Sequence, residues 1–417
     1  MTEDPKSFLR KLFDVAVDAA QPSLRVPSFL PEPPKGRTIV AGAGKAGAAM
    51  VQAVEANWEG PLEGLVITRY GHGLPTAQVE VVEASHPVPD AAGFAAAQRI
   101  NRTVQGLSAD DLVLFLISGG GSALMTAPAE GVSLEDKQAV NKALLACGAH
   151  IGEINCVRKH LSAIKGGRLA AHAFPARRVA LMISDVPGDD PSVIASGPTV
   201  VDPSTRQEAL DIIAKYALDV PAAITDYLAS PASETPKPGD ARLADVENHV
   251  IAAPSQSLAA AKAVAERAGV KVLDLGDLVE GEAREVGAEH ARMALEIAAS
   301  NHSPTLIISG GECTVTIAGA GKGGPNTEYL MGMALVLNGA EGIHALACDT
   351  DGIDGAMDNA GAMIDPTTLA RASAAGLNTA AMLADNDAYA YFLGLDDLVV
   401  SGPTHTNVND FRAILIQ

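Results

Sequence analysis

Short apolar runs alternate along this chain with longer stretches in which apolar positions recur every three or four residues. The clearest run is Leu112–Ile117, which is apolar throughout and lies between acids and glycines. Such a run is typical of a strand buried on both faces of a parallel sheet. Further strands are predicted in the first half at 38–41, 65–68, 80–84 and 178–184. Helices are predicted at 7–20, 47–57, 90–104, 133–147 and 151–171, and Asp90 and Ser133 are the expected N-caps of two of them.

The alternation resumes after a proline-rich, acidic stretch at 230–248, which is the predicted linker. Strands are then expected at 249–253, 271–275, 305–309, 313–317, 344–347 and near 362 and 398, with helices at 255–269, 281–300 and 326–337. The pattern predicts an α/β fold with a parallel sheet in the first half, whose ligands lie outside the carboxyl ends of the strands. A closely spaced strand pair around Gly310 favours a mixed sheet in the second half. At 417 residues, two domains are expected, at 1–233 and 234–417.

Composition narrows the classes of function. The formal charge of -20 argues against nucleic acid or an anionic membrane as a partner, since both need a basic face. The N-terminus lacks the pattern of a signal peptide, and no apolar stretch is long enough to span a membrane. The four cysteines form no Cys-x-x-Cys pair, so a reducing cytoplasm is the predicted location.

A glycine turn follows the central strand. Ser118 is followed by Gly119, Gly120 and Gly121, which can point successive N–H groups at one spot and so hold an anion, and Ser122 adds a hydroxyl. A tight turn without a ligand is the alternative. The anion site is favoured because the chain repeats Ser-Gly-Gly at 309–311 after another apolar run.

The first strand leads into Gly42-Ala-Gly-Lys-Ala-Gly47, which matches the G-x-G-x-x-G dinucleotide pattern between a strand and a helix. The second strand ends without the acid that an NAD ribose needs, although Arg69 could face an NADP phosphate, so a reductase stays open. Lys45 opposes the dipole of the helix that it begins. We therefore expect Lys45 to face a bound anion.

Charged residues cluster at two further places. Arg158, Ser162 and Lys165 share one face if their segment is helical, and form either a phosphate clamp or a solvated face. Two sets of aspartates follow strand ends and are candidates for Mg²⁺ or for ordinary turns: Asp185, Asp189 and Asp190 in the first half, and Asp349, Asp351 and Asp354 in the second. The histidines lack zinc-site spacing.

Seven ordered motifs span nearly the whole chain. They are Gly42-Ala-Gly-Lys-Ala46, Ser118-Gly-Gly-Gly-Ser-Ala-Leu124, Arg158-Lys-His-Leu-Ser-x-x-Lys-Gly-Gly167, Ser184-Asp-Val-Pro-Gly-Asp189 with Ser196-Gly-Pro-Thr199, Ser309-Gly-Gly-Glu312, Gly321-x-Gly-Gly-x-Asn-x-Glu328 and Asp349-Thr-Asp-Gly-x-Asp-Gly355. Together they resemble the glycerate 2-kinase family, whose members are often labelled hydroxypyruvate reductases.

The resemblance implies a Rossmann-like N-terminal domain, a smaller C-terminal α/β domain and an active site in the cleft between them. It implies transfer of the ATP γ-phosphoryl group to the 2-hydroxyl of D-glycerate, with Mg²⁺. Lys45 would be the central cation, and Gly44 with the loop Ser118–Ser122 would cradle substrate or phosphate. Many members have Arg where this chain has Pro325, which leaves Lys322 as the substitute cation.

These parts suit phosphoryl transfer, which needs positioning and charge neutralisation more than covalent chemistry. We expect Lys45 and Arg158 to neutralise the carboxylate and the transferring group, with Lys165 in the same clamp. Asp189 is the expected base or metal ligand. The remaining expected residues are Asp185, Asp190 and Asp351 for metal and Glu312 and Asn326 for closing the site from the second domain. A hydroxypyruvate reductase and a non-catalytic sugar-acid sensor are the alternatives, and a homodimer is left open as the assembly.

Overall fold

The computed structural model describes residues 3–300 and 303–417, and the chain forms two compact units. The first unit is Pro22–Ile251, and the second comprises the residues up to Gln21 together with Ala252–Gln417. The strands are β1 (Thr38–Ala43), β2 (Glu63–Arg69), β3 (Glu80–Ala84), β4 (Leu112–Ile117), β5 (Arg177–Ile183), β6 (Val246–Ala252), β7 (Lys271–Asp274), β8 (Gly281–Glu282), β9 (Thr305–Ser309), β10 (Cys313–Thr314), β11 (Ile343–Asp349), β12 (Gly361–Ile364), β13 (Leu398–Val399) and β14 (Asp410–Ile416).

The helices cover much of the rest of the chain. They are α1 (Pro5–Ala19), α2 (Pro22–Arg25), α3 (Gly47–Asn57), α4 (Ala91–Thr103), α5 (Gly121–Leu124), α6 (Leu134–Ala146), α7 (Ile151–His160), α8 (Arg168–His172), α9 (Arg206–Lys215), α10 (Ala222–Ala229), α11 (Pro254–Arg267), α12 (Ala283–Ser300), α13 (Pro325–Leu337), α14 (Thr368–Ala374), α15 (Thr379–Ala384) and α16 (Ala388–Leu395). In the described part of the chain, each helix is too short or too polar to traverse a lipid bilayer.

The first unit is built on a six-stranded sheet in the order β3-β2-β1-β4-β5-β6. The pairings of β1 with β2 and β4, of β2 with β3 and of β4 with β5 are parallel. Every residue of β1 and β4 is buried, as the apolar run predicts. This strand order is that of a Rossmann fold, so the predicted fold class is confirmed. The order reverses between β1 and β4, where α/β proteins bind their ligands.

The second unit carries a mixed sheet in the order β13-β12-β11-β14-β9-β7. Strand β14 pairs antiparallel with both β11 and β9, whereas β7 and β9 are parallel. The predicted mixed sheet is therefore confirmed. Strand β14 and helices α14 to α16 are elements that the sequence pattern did not reveal.

The N-terminal helix belongs to the second unit, which differs from the predicted domains 1–233 and 234–417. Helix α1 buries Phe8, Leu9, Leu12 and Phe13 in a cluster with residues of β9, β11 and β14. The ring of Phe13 lies 6.3 Å from that of Phe411. The other boundary falls after Ile251, because β6 completes the first sheet beside β5.

Local signals set most helix ends correctly. The side chain of Asp90 accepts the Gly93 N–H at the start of α4, and Ser133 forms a capping box with Asp136 at the start of α6. The single helix predicted at 151–171 is wrong, because α7 ends at His160 and α8 starts at Arg168. In between, the hydroxyl of Ser162 accepts the N–H groups of residues 164 and 165, which turns the chain away from helical geometry.

Gly42 is a position where the fold depends on the absence of a side chain. A Cβ there would overlap the carbonyl oxygen of Leu116 in the neighbouring strand. We expect Gly42→Ala to lower the free energy of unfolding by about 2–3 kcal/mol, because β1 and β4 must separate. Urea unfolding followed by circular dichroism measures this. Gly152→Ala, at an exposed position of α7 where a Cβ would meet only the exposed ring of His150, is the control and should change the free energy of unfolding by less than about 1 kcal/mol. An unchanged urea midpoint for Gly42→Ala would contradict the argument.

Candidate active site

The carboxyl ends of β1 and β4 are joined by hydrogen bonds. The N–H of Lys45 donates to the carbonyl of Gly119 at 2.8 Å, and the N–H of Ala46 donates to Ser118 Oγ at 3.0 Å. Gly44 has φ +148, and a Cβ on it would overlap the Ser118 hydroxyl. The turn after β4 therefore occupies the two amides just before α3, in the region where dinucleotide-binding proteins bind the pyrophosphate.

Past this junction the glycine turn faces a cavity of about 240 Å³ in the first unit. Gly120, at φ +78, leads into α5 and lines the cavity together with Ser122. A Cβ on Gly120 would lie 3.1 Å from the ring of His86 and 3.5 Å from Lys45 Cγ, so both side chains flank the turn. The polar residues that line the cavity are His86, Ser122, Thr126, Lys137, Gln138, Asn141, Arg158 and Lys165.

Three of these lining residues have basic side chains, and none of the described lining residues is an Asp or Glu. Burial, with repulsion from Arg158, lowers the pKa of Lys137 to about 7. Burial also lowers the pKa of Arg158. The pKa of Lys165 is held well below its ordinary value by burial first and then by Lys137, Arg158 and Lys159. A cavity with such unneutralised cations favours an anionic ligand.

Hydrogen bonds orient the cations. Arg158 Nε donates to Asn141 Oδ1 at 2.5 Å. Lys165 Nζ donates to the carbonyl oxygen of Ser122 at 2.6 Å and contacts Ser122 Oγ at 2.5 Å. Ser122 Oγ in turn lies 2.9 Å from Ser196 Oγ, on the segment that follows β5. The structure thus brings the predicted residues Arg158, Lys165 and Ser122 to one cavity.

The three aspartates after β5 do not line this cavity. Asp185 is half-buried, and Asp190 is exposed and accepts the N–H of Ser192 at 2.8 Å. Asp189 has φ 55, and its buried Oδ1 accepts no hydrogen bond. In the described residues no group of three or more His, Cys, Asp or Glu side chains could hold a metal ion. Mg²⁺ is often held by only one or two carboxylates, and the unpartnered Oδ1 of Asp189 fits that use.

The predicted residues of the second unit gather around the start of α13. Asn326 is buried, its N–H donates to Asp354 Oδ1 at 2.9 Å, and its side-chain amide donates to Asp410 Oδ1 at 2.7 Å. Burial raises the pKa of Asp354 to about 6. Asp351 is buried in the turn that leads to Asp354.

Two predicted residues of the second unit lie at the surface. Glu312 is exposed and follows Gly311, whose carbonyl accepts the N–H of Asp410. Lys322 is exposed in the loop before α13. Their roles, like the predicted location of the active site in an interdomain cleft, stay predictions.

Comparison with known proteins decides the family. A family model described as a domain of unknown function (DUF4147) matches residues 8–229, and the MOFRL family model matches residues 305–410. The D-glycerate 2-kinase of Thermotoga maritima is 38% identical over 421 residues, covering 99% of each chain. The chain belongs to the glycerate 2-kinase family.

Two further matches extend over nearly the whole chain, and they carry different names. The crystal structure of glycerate kinase from Thermotoga maritima matches with a TM-score of 0.89 at 37% identity, covering 99% of both chains. A protein of Agrobacterium vitis named "Putative hydroxypyruvate reductase" is 52% identical, covering 99% of this chain and 94% of its own. The predicted resemblance to glycerate 2-kinases is confirmed.

Sequence reasoning about this family member missed several residues of the cavity. Lys137 and Asn141 are one helical turn apart on α6, a spacing that could have paired them. Their helix nevertheless has the ordinary mixture of polar and apolar residues, so burial of Lys137 was not visible. His86 and Ser196 reach the site from loops, and only the folded chain shows where those loops lie.

The depressed pKa of Lys137 predicts a pH dependence of stability. Between pH of about 7 and the ordinary value of 10.5, the unfolded chain binds a proton that folded Lys137 does not. The free energy of unfolding should therefore rise with pH in this window, by up to about 1.4 kcal/mol per pH unit.

Lys137→Met should remove that part of the slope, whereas Lys142→Met, on the exposed face of the same helix, should keep it. Urea unfolding at several pH values in this window measures the difference. Equal slopes in wild type and Lys137→Met would show that Lys137 stays protonated when folded.

Proposed function

We propose that this protein transfers the γ-phosphoryl group of ATP to the 2-hydroxyl of D-glycerate, giving 2-phospho-D-glycerate and ADP. The relatives from Thermotoga maritima and, at 38% identity, Pyrococcus horikoshii bear the name of this activity. The observation that carries the proposal is the acid-free cavity of about 240 Å³ on which Lys137, Arg158 and Lys165 converge. These basic side chains would attract a small organic acid even though the net charge of the chain is -20.

We assign the cavity to the acceptor rather than to the nucleotide. Its volume lies below the roughly 300–1,000 Å³ typical of sites for drug-sized ligands, and glycerate is much smaller than such ligands. Arg158 and Lys137 would bind the glycerate carboxylate, because a guanidinium and an ammonium both donate to carboxylate oxygens. Ser122 and Lys165 would hydrogen-bond the hydroxyl groups of the acid.

Lys45 is assigned to the transferring phosphoryl group. It flanks Gly120 at the edge of the cavity, where a fixed cation would stabilise the charge on the equatorial oxygens in the transition state. Gly44, Ser118 and Gly119 would act indirectly, because their contacts hold the start of α3 against the glycine turn. Gly120 and Ser122 then line the wall that would face the substrate, and Gly121, packed against Ala43, joins them.

Asp189 is assigned either to Mg²⁺ or to the proton of the acceptor hydroxyl. Its buried, unpartnered Oδ1 can take a metal ion or accept a hydrogen bond from the 2-hydroxyl. Mg²⁺, when bound with the nucleotide, neutralises charge on the β- and γ-phosphates. Asp185 and Asp190 are the neighbouring candidates for the metal. Asp351 stays a predicted metal ligand, and Asn326, Glu312 and Lys322, also of the second unit, stay predicted to bind substrate or phosphate.

A hydroxypyruvate reductase is supported by the name of the Agrobacterium vitis relative. The geometry disfavours it, since the amides of Lys45 and Ala46 already pair with Gly119 and Ser118. A dinucleotide would have to break these bonds to place its pyrophosphate at the helix start. The cytoplasmic location and the homodimer stay predictions, since no feature of the single chain tests them.

A pair of assays separates kinase from reductase. With D-glycerate, ATP and Mg²⁺ we expect ADP, and enolase should convert the product directly to phosphoenolpyruvate without a phosphoglycerate mutase. With hydroxypyruvate and NADPH we expect no oxidation of NADPH. ADP formation whose product enolase cannot use would place the phosphoryl group on another hydroxyl, and NADPH oxidation without any kinase activity would refute the proposal.

Replacement of Lys45 tests its role at the phosphoryl group. We expect Lys45→Ala to reduce kcat/KM for the kinase reaction by about a hundredfold to a thousandfold, because a fixed charge at the transition state is lost. Lys35→Ala, at an exposed position before β1, is the control and should be fully active. Circular dichroism should show both variants folded. Wild-type turnover in Lys45→Ala would remove Lys45 from the mechanism.

A further inference from the structure

The contact between Ser122 and Lys165 has the geometry of a nucleophile and its base. Lys165 Nζ lies 2.5 Å from Ser122 Oγ and is held by the carbonyl oxygen of Ser122 at 2.6 Å. Lys165 is only 2% exposed, and among the described residues no carboxylate forms an ion pair with it. Paired nucleophile and base side chains within hydrogen-bond reach, with the base oriented by a third group, mark nucleophilic catalysis.

The surroundings of Lys165 favour its neutral amine. Burial and the nearby charges of Lys137, Arg158 and Lys159 all oppose protonation. A lysine that served only to bind an anion would work best as an ammonium ion. A neutral amine, in contrast, can accept a proton from the serine hydroxyl, as in the serine–lysine variants of hydrolase active sites.

Ser122 occupies a position from which it can attack a bound molecule. It follows the strand β4 and the three-glycine turn, and it stands at the start of α5. Strand, tight turn and helix is the context in which α/β hydrolases expose their nucleophilic serine. Ser122 also lines the cavity, and Ser196 Oγ at 2.9 Å holds its hydroxyl from the other side.

We propose that Ser122 and Lys165 form a nucleophile–base pair that hydrolyses small esters whose acyl group carries a carboxylate. Ser122 Oγ forms a bond to the ester carbonyl carbon while its proton passes to the amine of Lys165. The tetrahedral intermediate expels the alcohol, which takes the proton back from the ammonium group. Water, deprotonated by the same amine, then attacks the acyl-serine, and the carboxylic acid and the free serine hydroxyl are restored.

The cavity selects the class of ester. Arg158 and Lys137 can bind a carboxylate on the acyl chain, and no lining acid among the described residues competes for them. Their positive charge also stabilises the oxyanion that forms on the attacked carbonyl oxygen. The volume of about 240 Å³ restricts the acyl group to a few carbon atoms. This activity needs no nucleotide, so it goes beyond the proposed kinase reaction.

The test uses the full chain without ATP. Mono-p-nitrophenyl succinate is the probe, and neutral p-nitrophenyl acetate is the comparison ester. We expect release of p-nitrophenolate at least about tenfold faster from the succinate, and peptide mass spectrometry of the quenched enzyme should find the succinyl group on Ser122. An adduct on the amines of Lys165 or Lys137 instead of Ser122, or no adduct at all, would overturn the proposal.

Variants add a second line of test that does not depend on the adduct. Ser122→Ala and Lys165→Met should each lower the rate of p-nitrophenolate release from the succinate ester by at least about tenfold. Ser122→Cys should still become acylated, because the thiol replaces the hydroxyl as nucleophile. Ser192→Ala is the control, since Ser192 lies on the segment after β5 outside the cavity lining. Circular dichroism should confirm that each variant is folded. Acylation of folded Ser122→Ala at the wild-type rate would refute the nucleophile.

Discussion

The close approach of β1 and β4 is the constraint on which the first unit depends. Gly42 has no side chain to collide with Leu116 within the sheet, and Gly44 has none to collide with Ser118 just after the two strands end. The Ser118 hydroxyl and the Gly119 carbonyl then accept the hydrogen bonds of the two amides just before α3. Because this junction fixes both turns, the left-handed residue Gly120 can direct Ser122 into the cavity. The same junction leaves the amides of Lys45 and Ala46 already hydrogen-bonded within the protein.

The cavity explains how a strongly acidic chain can still hold an acidic substrate. A net charge of -20 describes the whole chain, whereas Arg158 lines one cavity together with the buried Lys137 and Lys165. Burying such groups without counterions costs folding free energy, typically several kcal/mol per ion. Residues kept under that cost usually serve function, because an incoming anion relieves both burial and repulsion. The lowered pKa values of Lys137 and Lys165 express the same cost.

The sequence predicts those features that depend on residues close to one another in the chain. The buried run Leu112–Ile117 and the caps at Asp90 and Ser133 are readable because their signals lie within a few residues. Lys165 was placed in the site for a wrong reason, since the turn at Ser162 and not helical spacing brings it there. Strand β14 escaped detection because Arg412 interrupts its apolar run. That arginine is buried and pairs with Asp410 and the carbonyl of Gly310, partners that only the tertiary structure supplies.

Pro325 stands where the family resemblance implies an arginine. It is the first residue of α13, where a proline fits because that position has no intrahelical amide bond to lose. Gly324, which precedes Pro325, leaves room for the side chain of Asp354. The Asp354 carboxylate accepts hydrogen bonds from the N–H groups of Asn326 and Thr327. The helix start therefore gains rigidity and lacks the cation that the family resemblance implies. Lys322 is exposed in the preceding loop, whereas in the first unit Arg158 and two lysines line one cavity.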